Sequence, residues 1–284
     1  MSQIVFMVAL FILALVRALY MRRHAMATSP YESCNTVGGW YILAPILALP
    51  VFHDIAVSAY EQLLEMPYLI IIGFLKGSGF WGMIYSGQIM RRTSNSSAGF
   101  FGFICIGLIA IGNSIFGEDL TLPQWVSVVC LFLMGLYFYS RGHLSTQSSF
   151  VKLLFMFQIL IGVMFGMIDH YFLTHCNWYA LVVLTGVGML LMAVSFGRMK
   201  FSQVLESVKS PKTAGLGIVL SLIEMTVLSI FVTHLPVTLG WVAMTLASVA
   251  VMVIAAVFWG EGRWQQQLAV GSFTYASALP IILT

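Results

Sequence analysis

Residues Gly117 to Gly135 read GEDLTLPQWVSVVCLFLMG, and their grammar occurs twice in the chain. An apolar run ends at Phe116-Gly117-Glu118, a short polar turn follows, Gln124 stands six residues after the glutamate, and a new apolar run begins. The same order returns at Phe258-Trp259-Gly260-Glu261, with Gln267 again six residues on. Glu118 and Glu261 are 143 positions apart in a chain of 284. A second marker has nearly the same offset: Cys34-Asn35 and Cys176-Asn177 are 142 apart, and each is followed shortly by Trp-Tyr (Trp40-Tyr41 and Trp178-Tyr179). Two markers at one spacing, each set between hydrophobic runs, point to a duplicated unit of about half the chain.

Hydrophobic residues make up 60% of the sequence and charged residues 8%, where a soluble domain carries about a quarter charged. A chain of this composition must place apolar surface in lipid. The first apolar run lacks a basic leader and a small-residue cleavage site, so it reads as a retained span. Four cysteines, three of them in or beside apolar runs, do not form a disulfide framework. Cys34 and Cys176 are expected in loops on opposite faces, without a bridge. A net charge of +3, spread along the chain, is not that of a nucleic-acid binder.

Apolar runs of spanning length predict an all-α integral membrane protein with ten transmembrane helices, near 3–22, 38–58, 67–90, 96–116, 124–141, 150–169, 177–196, 213–233, 237–259 and 266–283. The duplication divides them into five-helix repeats over 1–141 and 142–284. An odd number per repeat makes the second copy enter the membrane upside down, the inverted-topology arrangement common in secondary transporters. Twelve of the 13 Lys and Arg residues fall on one face of this layout, and the remaining one, Lys76, is inside a span. The positive-inside rule then places both termini outside the cytoplasm.

Charge at mid-membrane costs about 2.5–3.5 kcal/mol on insertion scales and needs an internal partner or a wet cavity. Lys76 lies about ten residues into the third span and Glu224 about twelve into the eighth. These two helices are repeat-mates, and the 143 offset makes Trp81 the counterpart of Glu224. They are therefore expected to face each other across a pseudo-two-fold axis. Two readings are open: a central site for a zwitterion or a proton-coupled carboxylate, or a structural ion pair that closes one state. Ser78, Trp81 and Tyr85 share the helix with Lys76 and would shape such a site, while Gly77, Gly79 and Gly82 give it a thin face for helix packing. His53-Asp54 and Asp169-His170 are polar pairs expected at membrane boundaries, either as proton relays or as interfacial anchors. Gly117-Glu118 and Gly260-Glu261 are read as structural corners in which the carboxylate caps the helix that follows. Asp169, His170, His175 and Cys176 lack metal-site spacing, and no cofactor is expected. Intramembrane protease motifs and a nucleotide-binding loop are absent from the sequence, so the chain is not expected to be an enzyme or an ATP-driven pump.

The repeated element resembles the drug/metabolite transporter superfamily in its ten-helix, EamA-type branch. The shared features are a polar turn (Thr93-Ser94-Asn95-Ser96-Ser97-Ala98; Pro236-Val237-Thr238-Leu239-Gly240), an apolar helix ending in Gly-Glu, a following Gln, and then a glycine (Gly135; Gly271). The resemblance implies a carrier with a central cavity, moving small polar or amphiphilic metabolites such as amino acids or amines, often outward and often by proton coupling. It further implies a lipid environment such as a bacterial inner membrane, a small-molecule substrate and no nucleic-acid partner. It also implies cytoplasmic termini, opposite to the charge count. A complete pair of repeats in one chain fits a monomer or a homodimer. The alternative function is an accessory or scaffold membrane protein that keeps a transporter fold.

Overall fold

In the computed structural model, every regular element among the described residues (3–27, 29–92, 101–141, 148–196, 200–260 and 264–283) is helical. The order is α1 (Gln3–Ala27), α2 (Pro30–Leu47), α3 (His53–Glu65), α4 (Tyr68–Lys76), α5 (Gly79–Arg92), α6 (Phe101–Ile115), α7 (Leu122–Arg141), α8 (Ser149–His175), α9 (Trp178–Ser195), α10 (Phe201–Lys209), α11 (Pro211–Thr233), α12 (Val237–Trp259) and α13 (Trp264–Leu283). Among the described residues six helical stretches are long and apolar enough to cross a membrane: Gln3–Met21, Tyr68–Tyr85, Ser149–His175, Trp178–Ser195, Thr213–Phe231 and Val237–Phe258. Shorter apolar helices cover Gly102–Ile115 and Leu122–Tyr137. On α1, Ile4, Val8, Ile12 and Val16 form an exposed stripe at four-residue spacing, while Met7, Leu10 and Ala14 are buried. Such a stripe is stable against hydrocarbon and costly against water. This is an all-α integral membrane protein.

Several helix boundaries differ from the sequence expectation, each for a physical reason. The second helix is not 38–58 but Pro30–Leu47, and Cys34 is buried inside it and not in a loop. Ser29 caps α2 by accepting the Glu32 N–H at 3.1 Å, and Pro30 opens its first turn, where a missing N–H costs nothing. The polar run Ser33-Cys34-Asn35-Thr36 looks like a loop, yet it is buried by neighbouring helices. Thr36 Oγ1 lies 2.9 Å from the Ser207 carbonyl oxygen and 3.0 Å from Thr213 Oγ1, so its hydroxyl is satisfied without water. Residues after α2 turn and form the separate, mostly exposed helix α3. The sixth expected span, α8, continues past 169 to His175. The turn expected at 93–98 and Glu261 lie outside the described residues.

The chain divides into two compact units, each drawing segments from both halves of the sequence. One contains Met1–Leu19, Gln88–Met167 and His234–Thr284. In it α6 packs on α7 and α12, and α13 on α7 and α12. Its core gathers Ile104, Cys105 and Ile109 of α6 with Ile159 of α8, Phe132 of α7 and Trp241 of α12. The other unit contains Tyr20–Gly87 and Ile168–Thr233 and is built on α2, which packs against α9, α10 and α11. There α9 also covers α4 and α3. Close helix crossings in this unit rest on small residues: a Cβ added to Gly186 would stand 2.7 Å from the Gly38 carbonyl oxygen, and one added to Gly217 would stand 2.2 Å from the Trp40 ring.

Candidate functional site

The span that carries Lys76 is not one continuous helix. α4 stops at Lys76 and α5 starts at Gly79. Between them Gly77 N–H donates to Phe74 O at 2.9 Å, Ser78 N–H to Leu75 O at 3.0 Å, Phe80 N–H to Gly77 O at 3.0 Å and Trp81 N–H to Ser78 O at 2.9 Å. These bonds reach back three residues, so the backbone tightens locally before the helix resumes. The break coincides with a backbone-to-backbone contact. A Cβ on Gly77 would stand 2.3 Å from the carbonyl carbon of Gly188, and one on Gly188 would stand 2.6 Å from Phe74 O. Glycine is required there because α4 and α9 touch with no side chain between them.

At this break the Lys76 ammonium is held by two carboxylates. Its Nζ lies 2.6 Å from Asp169 Oδ1 of α8 and 2.7 Å from Glu224 Oε1 of α11. Lys76, Asp169 and Glu224 are 2%, 3% and 7% exposed, so all three are shielded from lipid as well as from water. The Glu224 contact is a charge-assisted hydrogen bond and the Asp169 contact a close ion pair, and together they counter the cost of burying charge. Lys76 and Glu224 both come from the sequence reading. Asp169 is read from the sequence only as a proton relay or interfacial anchor at a membrane boundary beside His170, not as a partner of Lys76. Because α8 runs six residues beyond it, Asp169 sits about 9 Å inside the helix end. His170 is buried as well.

Beside the cluster, Ser78 Oγ is buried without a hydrogen-bond partner among the described residues. Trp81 and Tyr85 stack at 6.0 Å with their planes 26° apart, and Phe80 and Phe196 meet Trp81 at 5.3 and 6.1 Å. Trp81 and Tyr85 are half-buried, whereas Phe80 is fully buried. His53 and Asp54 are elsewhere: they open α3, are exposed, and lie 3.3 Å apart. They do not join the cluster. Asn177 caps α9 through its side chain and donates to Ile55 O at 2.9 Å, which ties α3 to α9. In the loop beside it, burial pushes the Cys176 thiol up to about 11, and all four cysteines are free.

Glu118 is buried in the other unit and does not cap the helix that follows it. Its Oε1 accepts the Thr238 N–H at 3.0 Å, and its Oε2 accepts the Thr238 hydroxyl and the Asn113 amide, the latter at 3.0 Å. It therefore caps α12, a helix that starts about 120 positions further along the chain. The opening of α7 is closed instead by Gln124, whose Oε1 accepts the Thr121 N–H at 2.9 Å. Gly117 makes the corner with φ +92° and Gly260 ends α12 with φ +66°, left-handed values that favour glycine. Asn113 and Thr238 carried no signal in the sequence reading. Among the described residues no group of three or more His, Cys, Asp or Glu is placed to hold a metal ion.

No model of a known protein family matches the chain, and no curated protein matches it.

Proposed function

We propose that the chain is a secondary transporter that exports a small polar or amphiphilic metabolite, such as an amino acid or an amine, by alternating access. The observation that carries this reading is the buried Lys76–Asp169–Glu224 cluster at a broken helix. Irregular backbone at membrane depth occurs where it is buried in protein or lines a cavity, and intramembrane ionisable groups mark substrate and ion pathways. If α2 and α13 also cross, they join the six long spans and the two shorter apolar helices to give the ten crossings that a five-plus-five inverted repeat of the EamA type requires. A membrane such as a bacterial inner membrane fits its composition.

In this mechanism the cluster is intact in one state, and substrate contacts replace part of it in the other. A ligand shifts a conformational equilibrium only through its differential affinity for the two states. The test is a thermal-shift screen of the purified protein against amino acids, amines, nucleotide sugars and organic acids, followed by flux measurements in proteoliposomes. A compound that stabilises wild type, fails to stabilise Glu224→Gln and moves across the bilayer supports the proposal. A stabilising compound that never crosses would overturn it.

The near-complete burial of the cluster favours one competing reading, a scaffold in which the charges only hold helices together. Replacing all three residues with apolar side chains of similar volume separates the two. A scaffold keeps its function, since such replacements are often neutral or stabilising, and a transporter loses it.

A further inference from the structure

Four of the chain's 13 Lys and Arg residues, Arg198, Lys200, Lys209 and Lys212, fall in the short connection from α9 to α11, against one acid, Glu206. Their sum, +3, equals the net charge of the whole chain, so the rest of the molecule is neutral on balance. Within this connection lies α10, Phe201–Lys209. At about 1.5 Å per residue it is roughly 13 Å long, far short of the roughly 30 Å of bilayer hydrocarbon. The helices on either side of it are long and apolar enough to cross, so α10 belongs at a membrane boundary. We infer that α10 is an in-plane docking helix for anionic phospholipid headgroups.

The sequence FSQVLESVK repeats apolar residues at 201, 204, 205 and 208, the spacing of an amphipathic helix. One side of α10 is held by protein. Val208 is buried against α2, where a Cβ on Gly39 would stand 2.2 Å from its Cγ2. The Ser207 carbonyl oxygen lies 2.9 Å from Thr36 Oγ1 and 3.1 Å from Thr213 Oγ1, which ties α10 to α2 and α11. The other side is open: Leu205 is 45% exposed, and Ser202, Gln203, Glu206 and Lys209 are exposed with it. Successive residues turn by about 100°, so the exposed arc runs Leu205, Lys209, Ser202, Glu206, Gln203. Leu205 borders the buried side at Val208, Lys209 stands beside it one turn on, and Glu206 lies further round. An apolar side chain flanked by a cation is what a membrane-surface helix offers to an anionic bilayer. The lysine stem follows the apolar surface while its ammonium meets phosphate. Lys200, also exposed, stands at the opposite end of the helix.

Helix α3 supplies a contrast within the same unit. It exposes Val57, Tyr60 and Leu64 at helical spacing, yet its acidic residues are Asp54, Glu61 and Glu65 and it has no Lys or Arg. Asn177 ties α3 to the start of α9, whereas α10 follows the end of α9, so the two short helices lie at opposite ends of one span. Both can rest on a bilayer through apolar contact, and only α10 has the charge to prefer an anionic one. Free phosphate would meet the lysines but gain nothing from Leu205, so the exposed leucine decides for a lipid. Such a contact requires only that the chain is a membrane protein, transporter or not.

Hydrogen–deuterium exchange of the full chain, in nanodiscs of phosphatidylcholine alone or with phosphatidylglycerol added, reads the contact locally. In the anionic discs the α10 amides should exchange more slowly, by about fivefold for each lysine engaged, and the α3 amides should not. Lys200→Gln combined with Lys209→Gln should abolish the difference. Arg22→Gln combined with Arg23→Gln, which removes the same charge from α1, should keep it. Leu205→Ser keeps every charge and should still lose most of the protection. Lys200, Leu205 and Lys209 are exposed, and unchanged exchange in α2 and α9 shows that each variant is folded. Equal α10 exchange in the two kinds of disc, or an equal slowing of α3, would overturn the inference. So would a response that survives loss of both lysines or of Leu205, or one that vanishes equally with Arg22 and Arg23. Protection of α10 by inorganic phosphate in the uncharged discs would overturn it too, by making α10 a free-anion site.

Discussion

Two buried carboxylate sites, one in each compact unit, solve the same problem by opposite means. Glu118 is neutralised by dipoles: a backbone N–H at the start of α12, a hydroxyl and an amide, all within its own corner of the fold. Glu224 is neutralised by an ion that it shares with Asp169. The first arrangement leaves its donors all matched to one acceptor. The second sets two carboxylates from different helices on one ammonium. Buried charge marks both sites; a shared ammonium marks one.

This contrast can be broken or sharpened by substitution. Lys76→Met strands two carboxylates and should lower unfolding stability in lipid by about 3–5 kcal/mol at neutral pH. The loss should shrink in acid, where both acids can be neutral, and an equal loss at every pH would erase the distinction between the sites. Glu118→Ala removes the acceptor of three buried donors and should cost about 3 kcal/mol. Thermal unfolding in lipid checks this. Gly77→Ala drives a methyl group into the Gly188 backbone, an overpacking of about 1–3 kcal/mol, and it should also impair flux if the break must keep its shape. Gly117→Ala has open space around it and pays only for a left-handed backbone, about 1 kcal/mol. A larger loss at Gly117 than at Gly77 would show that conformation, not close approach, dominates these glycines.

Lys76 and Glu224 were legible because a single charge inside a long apolar run stands out by composition alone. Asp169 was hidden by its neighbours. His170, Tyr171, Thr174 and His175 make the end of α8 look like a membrane boundary, although the helix continues through them. The same limit hid α2, whose start is polar in sequence and buried in the fold. Thr36 and Ser207 find their partners across more than 170 positions, a relation no local pattern can carry. The Gly-Glu corners were readable as turns from the glycine. The helix that Glu118 serves was not, because it meets Thr238 at a separation of 120.

The interleaving of segments has a consequence for biosynthesis. The unit that holds Lys76, Asp169 and Glu224 is fully synthesised only when Thr233 has left the ribosome, and the other waits for the last helix. Until then, Lys76 is present without either acid for more than ninety residues of elongation and gains its second only at 224. The nascent chain must therefore hold a lone ammonium in or near the bilayer while translation proceeds. Such a chain is a natural client for an insertase that shelters polar segments until their partners arrive.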